Sequence, residues 1–156
     1  MSKLWEKSVS LDKMIESFTV GNDPELDQVL VPFDCKASKA HAKMLGQKGY
    51  LTAQEVDNII SELDQIIQRH AKGDFKIKVS QEDCHTAIEE YLVEELGEGG
   101  KKIHMARSRN DQVLTALRLY YKDELMKINS LSKAWIDNLT QFGDNHQEVN
   151  LSLIHI

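Results

Sequence analysis

The chain has 156 residues, 41% hydrophobic and 6% aromatic, with two prolines. That is enough chain for one domain with a real core, and the shortage of aromatics and turn residues favours an all-α fold over a strand-rich one. A formal net charge of −6 argues against general nucleic-acid binding, and no run approaches the ~18 apolar residues of a membrane span.

The opening MSKLWEKSVS has no apolar leader core, so the chain is expected to be soluble and cytoplasmic. Cys35 and Cys84 lie far apart, outside any C-x-x-C pair. They are expected as buried reduced thiols. No His, Cys and carboxylate spacing matches a zinc or calcium pattern, so no metal site is expected.

Residues 1–22 are expected to be irregular, with Leu4 and Trp5 as anchoring points. Asp23 then serves as an N-cap, with Pro24 at the first helical position. Leu26, Val29, Leu30 and Phe33 give one apolar face. Pro32 should kink or split this helix. The face resumes through Ala37, Ala40 and Met44, and Gly46 and Gly49 end it.

Thr52 and Glu55 form a capping box, with Leu51 and Val56 as a hydrophobic staple. Val56, Ile59, Ile60, Leu63, Ile66 and Ile67 follow at helical spacing, and Gly73 is the stop. Residues 75–79 alternate and suit a short extended segment. The run from Ser80 to Asp83 is expected to open the next helix, whose face is Cys84, Ile88, Tyr91, Leu92 and Leu96. Gly97, Gly99 and Gly100 then break the chain, and a domain boundary is placed there.

Ser108 and Asp111 form another capping box. Beyond it, Leu114, Leu117, Tyr121, Leu125, Ile128, Leu131, Trp135, Leu139 and Phe142 recur in steps of three and four, the period of a helical bundle. No proline or glycine interrupts residues 109–142, which predicts a helix roughly 50 Å long at ~1.5 Å per residue. Residues 1–100 can cover only part of such a stripe. Either the chain oligomerises through this helix or a downstream half that would pack on it is missing. The expected organisation is a small helical N-terminal domain over 1–100, then a loop and the first long helix of a central bundle over 101–150, then an atypical tail over 151–156.

Three groups of residues carry chemistry. Lys101, Lys102, His104, Arg107 and Arg109 cluster in an acidic chain on a loop feeding a helix start. Unpaired N–H groups, the helix dipole and forked guanidinium donors together make an anion site suited to a di- or tricarboxylate. Asn110 adds an amide. A solvated basic loop ahead of a capped helix is the ordinary structural alternative. Asp83 and His85 stand in a first helical turn. They form either a polar pair facing a substrate, or an Asp at a helix end beside a surface His85–Glu89 pair four residues apart. Asp23 and Asp27 fit capping and dipole complementation.

The stretch from Lys101 to Val113, KKIHMARSRNDQV, resembles the G-K-K-L/I-H-x-G-R-S-R-N-D-Q-V signature of the argininosuccinate lyases. Residues 82–85, EDCH, resemble that family's second polar segment, and Leu4 and Trp5 its opening. The resemblance runs over residues 3–150. It implies cleavage of argininosuccinate to arginine and fumarate without a cofactor, by a mostly helical homotetramer built around a long central bundle. It assigns Ser108, Arg109 and Asn110 to the substrate-binding stretch and Asp83 and His85 to the second substrate segment. Asp27 is matched to an aspartate seven residues before Asp34, itself matched.

The chain departs from the family pattern in three places. Ala106 stands where the family usually has glycine. Residues 18–23 replace a stretch that often carries a substrate-binding serine. After Asn150 the family continues into a proline–glycine turn and T-x-H-x-Q, whereas this chain ends LSLIHI. Its His155 does not inherit the catalytic role, and the family's later serine loop is absent. The expectation is therefore that the 156-residue chain alone is inactive, with catalytic base and acid lying beyond it. A non-catalytic truncated subunit or structural relative is the alternative.

Overall fold

The computed structural model describes residues 13–149; the Leu4–Trp5 opening and the 151–156 tail lie outside them. Among the described residues every regular element is helical, as the composition predicts. The helices are α1 (Lys13–Val20), α2 (Asp23–Leu26), α3 (Val31–Gln47), α4 (Ala53–Ala71), α5 (Cys84–Leu96), α6 (Glu98–Lys101) and α7 (Arg109–Asn145). Short 3₁₀ turns occupy Asp27–Leu30, Val79–Gln81 and Lys102–His104. Among the described residues, those up to Arg118 form one compact unit, and those from Leu119 form a second.

The core of the first unit lies among α3, α4 and α5. Leu45, Ile59, Leu63, Ile66, Ile88 and Leu92 are fully buried there. Each such side chain stabilises the fold by roughly 1.5–3 kcal/mol. The capping box predicted for α4 is present. Thr52 Oγ1 accepts from the Glu55 N–H at 3.2 Å, and Glu55 Oε2 accepts from the Thr52 N–H at 2.8 Å. Gly73, at φ +80°, lies just beyond the helix end. Cys35 and Cys84 are free and buried, as expected.

Several boundaries differ from expectation. Residues 13–20, expected to be irregular, are helical. Met14, Ile15 and Phe18 of α1 remain exposed. In α2, Asn22 takes the N-cap position, with Pro24 just inside. Pro32 splits the next pattern: a 3₁₀ turn ends at Leu30, and α3 begins at Val31. The expected face is also rotated. Leu26 and Val29 are exposed, while Val31, Asp34, Cys35, Ser38, Ala42 and Leu45 are buried. Two polar residues lie on the inward face, which apolar periodicity does not register.

The alternation holds over residues 75–78, with Phe75 and Ile77 buried and Lys76 and Lys78 exposed, but Val79 is exposed and opens a 3₁₀ turn. Gln28 pins the alternating segment: its Nε2 donates to the Phe75 carbonyl at 2.9 Å, and its Oε1 accepts from the Ile77 N–H at 3.4 Å. The following helix starts at Cys84, later than expected. Gln81 Oε1 accepts from the Lys78 N–H at 2.9 Å and closes a separate 3₁₀ turn first.

Gly97, at φ +60°, ends α5, and the chain turns directly into α6. Gly100 packs on α5 so closely that an added Cβ would stand 2.2 Å from the Leu92 carbonyl oxygen. The long helix exists and runs to Asn145, past Gly143. Its buried residues are Gln112 and Ala116. Leu125, Ile128, Leu131, Trp135, Leu139 and Phe142 are all exposed.

Candidate substrate site

The sequence motif folds into a sharp approach to α7. After the 3₁₀ turn the chain passes through Ala106 at φ +56°, a left-handed conformation that disfavours any residue with a Cβ. His41 of α3 braces this loop, its Nε2 lying 2.9 Å from the Met105 carbonyl oxygen. Ser108 then caps α7 reciprocally. Its Oγ accepts from the Asn110 N–H at 3.2 Å, and Asp111 Oδ2 accepts from the Ser108 N–H at 3.2 Å. Ser108 and Asn110 are exposed and Arg109 is half-buried.

Beneath that start lies a buried polar network. Asp34, Ser38, His85 and Gln112 are each at most 2% exposed. Ser38 Oγ donates to Asp34 Oδ1 at 3.2 Å, and Gln112 Nε2 donates to Asp34 Oδ2 at 2.9 Å. His85 Nδ1 stands 3.0 Å from the same Oδ2, within ion-pair range but not aligned as a hydrogen bond. Arg107, with only 7% of its side chain exposed, donates from Nη1 to Ser38 Oγ at 3.0 Å. Burial lowers its pKa, while Asp34 and Glu89 hold its charge in place.

Glu89 gathers Arg109, His104 and Arg107, while Lys101 pairs with Glu98 and Lys102 with Glu55. Arg109 meets Glu89 with both forks, Nη1 to Oε1 and Nη2 to Oε2, each at 3.2 Å. His104 Nδ1 lies 3.2 Å from Oε1, and Arg107 Nη2 lies 3.9 Å from it. Arg109 Nη1 also donates to Gln112 Oε1 at 3.0 Å, which closes the network. The surface His85–Glu89 pair considered from sequence is therefore corrected. His85 is buried against Asp34, and Glu89 bonds the arginines.

The second segment forms the start of α5. Asp83 is its N-cap, accepting from the Thr86 N–H at 2.6 Å. Before it, Glu82 adopts φ +67° and ψ −56°, and the Asp83 N–H bonds the Gln81 carbonyl at 2.8 Å. This is a γ-turn of the strained kind. Asp27 Oδ2 accepts from the Cys84 N–H at 3.3 Å. Burial raises the Asp27 pKa, and the Cys84 bond and His85 oppose that rise.

The structure thus groups Asp27, Asp83 and His85 at one helix start, and Ser108, Arg109 and Asn110 at another. Asp34 and Gln112 join the groups. Sequence reasoning gave no role to Ser38 or Gln112, and it paired Glu89 only with His85. The usable signal was the spacing 31, 34, 35, 38, 42, 45, one helical face shared by apolar and polar residues.

The described residues form a helical fold in which two polar segments meet at helix starts, and a family model described as Lyase matches residues 2–152. The chain belongs to that lyase family. Among individual proteins, it is 55% identical over 129 residues to the argininosuccinate lyase of Thermotoga neapolitana, covering 83% of this chain and 32% of that protein. It is 45% identical over 130 residues to the argininosuccinate lyase of Xanthomonas oryzae pv. oryzae, covering 83% of this chain and 30% of the relative. It is 39% identical over 149 residues to that of Parabacteroides distasonis, covering 96% and 33%. The chain spans about a third of the length of the curated relatives it matches.

Proposed function

We propose that this chain supplies part of the substrate site of an argininosuccinate lyase, which cleaves argininosuccinate to arginine and fumarate within arginine biosynthesis. The observation that carries this reading is the exposed Ser108–Asn110 turn at the start of α7, set on a buried cationic and carboxylate network. The helix dipole, the Ser108 hydroxyl and the Asn110 amide face a succinyl carboxylate, and Arg109 adds charge beside them. Asp27 and Asp83 contribute the further substrate contacts, and His85 backs them from its buried place against Asp34.

The reaction is a β-elimination. A base removes the proton beside the carboxylate, which delocalises the carbanion. Donors around it stabilise the charge as it develops, and an acid helps the guanidinium nitrogen leave. No cofactor is needed for these steps. The base and acid are assigned to segments outside these 156 residues.

The functional form is a homotetramer whose subunits pool their long helices in a bundle. The exposed apolar side chains of α7 support this, since patches of that kind mark interfaces. The working compartment is the cytoplasm. That reading is supported by the free buried cysteines and by the lack, among the described residues, of a helix long and apolar enough to cross a membrane. The test is turnover: the full-length gene product should release fumarate from argininosuccinate, and failure to do so would remove the proposal.

A further inference from the structure

Glu89 has no part in the reaction outlined above, yet more of the site's cations converge on it than on any other carboxylate described there. Its two oxygens take both arms of Arg109 at 3.2 Å, and one of them also faces His104 at 3.2 Å. Bidentate carboxylate–guanidinium pairs fix orientation as well as charge. Arg109 is the first residue of α7, between Ser108 and Asn110. The same guanidinium bonds Gln112 at 3.0 Å, and Gln112 bonds Asp34, which His85 also approaches.

Resting on the lyase reading, we infer that Glu89 is a positioning residue for the substrate site, fixing through Arg109 the aim of the Ser108–Asn110 turn relative to the His85 segment. α5 thereby carries both the second substrate segment, at its start, and the carboxylate that holds the first segment, one turn further on. Substrate carboxylate reaches a turn whose orientation is already set. It meets an arginine whose charge is shared with Glu89 and does not stand bare. Displacing such a turn by about 1 Å is enough to cost ~100-fold in rate.

The test is a double-mutant cycle in the full-length gene product: Glu89→Gln, Arg109→Gln and the pair, with exposed Lys72→Ala as control. Glu89→Gln keeps the side chain's shape and should unfold cooperatively near the wild-type temperature. It should lose about tenfold or more in kcat/KM, with KM raised, because a mis-aimed site binds less well while a partly unfolded sample only loses active enzyme. The pair should be no worse than Arg109→Gln alone, since Glu89 acts through Arg109. Losses that multiply, or Glu89→Gln matching Lys72→Ala, overturn the inference. Glu89→Asp, which keeps the charge but shortens the reach, should fall between wild type and Glu89→Gln. Wild-type values for Glu89→Asp also overturn it. If wild-type protein does not turn over argininosuccinate, the lyase reading fails separately. The same cycle is then read as fumarate binding by calorimetry, where a non-additive loss supports the positioning role and unchanged binding overturns it.

Discussion

Gln112 Nε2 donates to Asp34 Oδ2 at 2.9 Å, and both side chains are fully buried. The bond ties the start of α7 to α3, and Asp34 Oδ1 also takes the Ser38 hydroxyl. Asp34→Ala would strand the Gln112 amide, the Ser38 hydroxyl and the buried Arg107 charge. The expected loss is about 3 kcal/mol of folding stability, read by denaturant unfolding. A loss below about 1 kcal/mol would mean the network contributes little beyond packing.

Ala106 holds φ +56° with a side chain that opposes it. Ala106→Gly should stabilise the fold by up to about 1 kcal/mol after the extra freedom of the unfolded chain is subtracted. For a chain of this size that is a rise in melting temperature of about 2–4 °C. A fall would show that the Ala106 methyl is favourably packed.

Glu55 is held down to a pKa of about 2 by its bond to Lys102 and by the Thr52 N–H, against an ordinary 4.5. A depressed carboxyl binds its proton more weakly in the folded state. Its charge therefore stabilises the fold above pH 4.5, and that contribution is lost as the pH falls toward 2. Wild type should exceed Glu55→Gln in melting temperature at neutral pH, and the gap should close across that window. A gap independent of pH would contradict the charged capping box.

Asp27 shows the opposite sign. Its pKa is raised above the ordinary 3.8, chiefly by burial. The ionised form therefore costs stability at neutral pH, and the cost vanishes as the pH falls through the raised pKa and below 3.8. Asp27→Asn keeps an oxygen for the Cys84 N–H. It should be at least as stable as wild type at pH 7 and lose that advantage in acid, while the full-length gene product loses activity. Lower stability of Asp27→Asn at pH 7 would contradict this.

Much of the fold was legible because its signals are local. Thr52 and Glu55 sit three residues apart and satisfy each other's backbone, and Pro32 cannot lie within a helix interior. At the candidate site, local motifs pointed to two helix starts, Ser108 to Asn110 and Asp83 to His85, but not to the buried residues that join them. Asp34 and Ser38 face inward although they are polar, so a hydrophobic pattern rotates α3 the wrong way. His85 and Glu89 are four residues apart, and helix geometry alone makes them partners. Only the packing of α3, α5 and α7 reveals that each faces a different helix. Partners 51 and 78 residues distant, His85 with Asp34 and Gln112 with Asp34, leave no trace in local spacing.

The most direct measurement compares Asn110→Ala with Lys72→Ala in the full-length gene product, by fumarate release from argininosuccinate. If the α7 start faces the substrate carboxylate, Asn110→Ala loses at least ~2 kcal/mol of transition-state stabilisation, roughly 30-fold in kcat/KM, while Lys72→Ala stays at the wild-type value. Equal kcat/KM for the two variants would contradict the account.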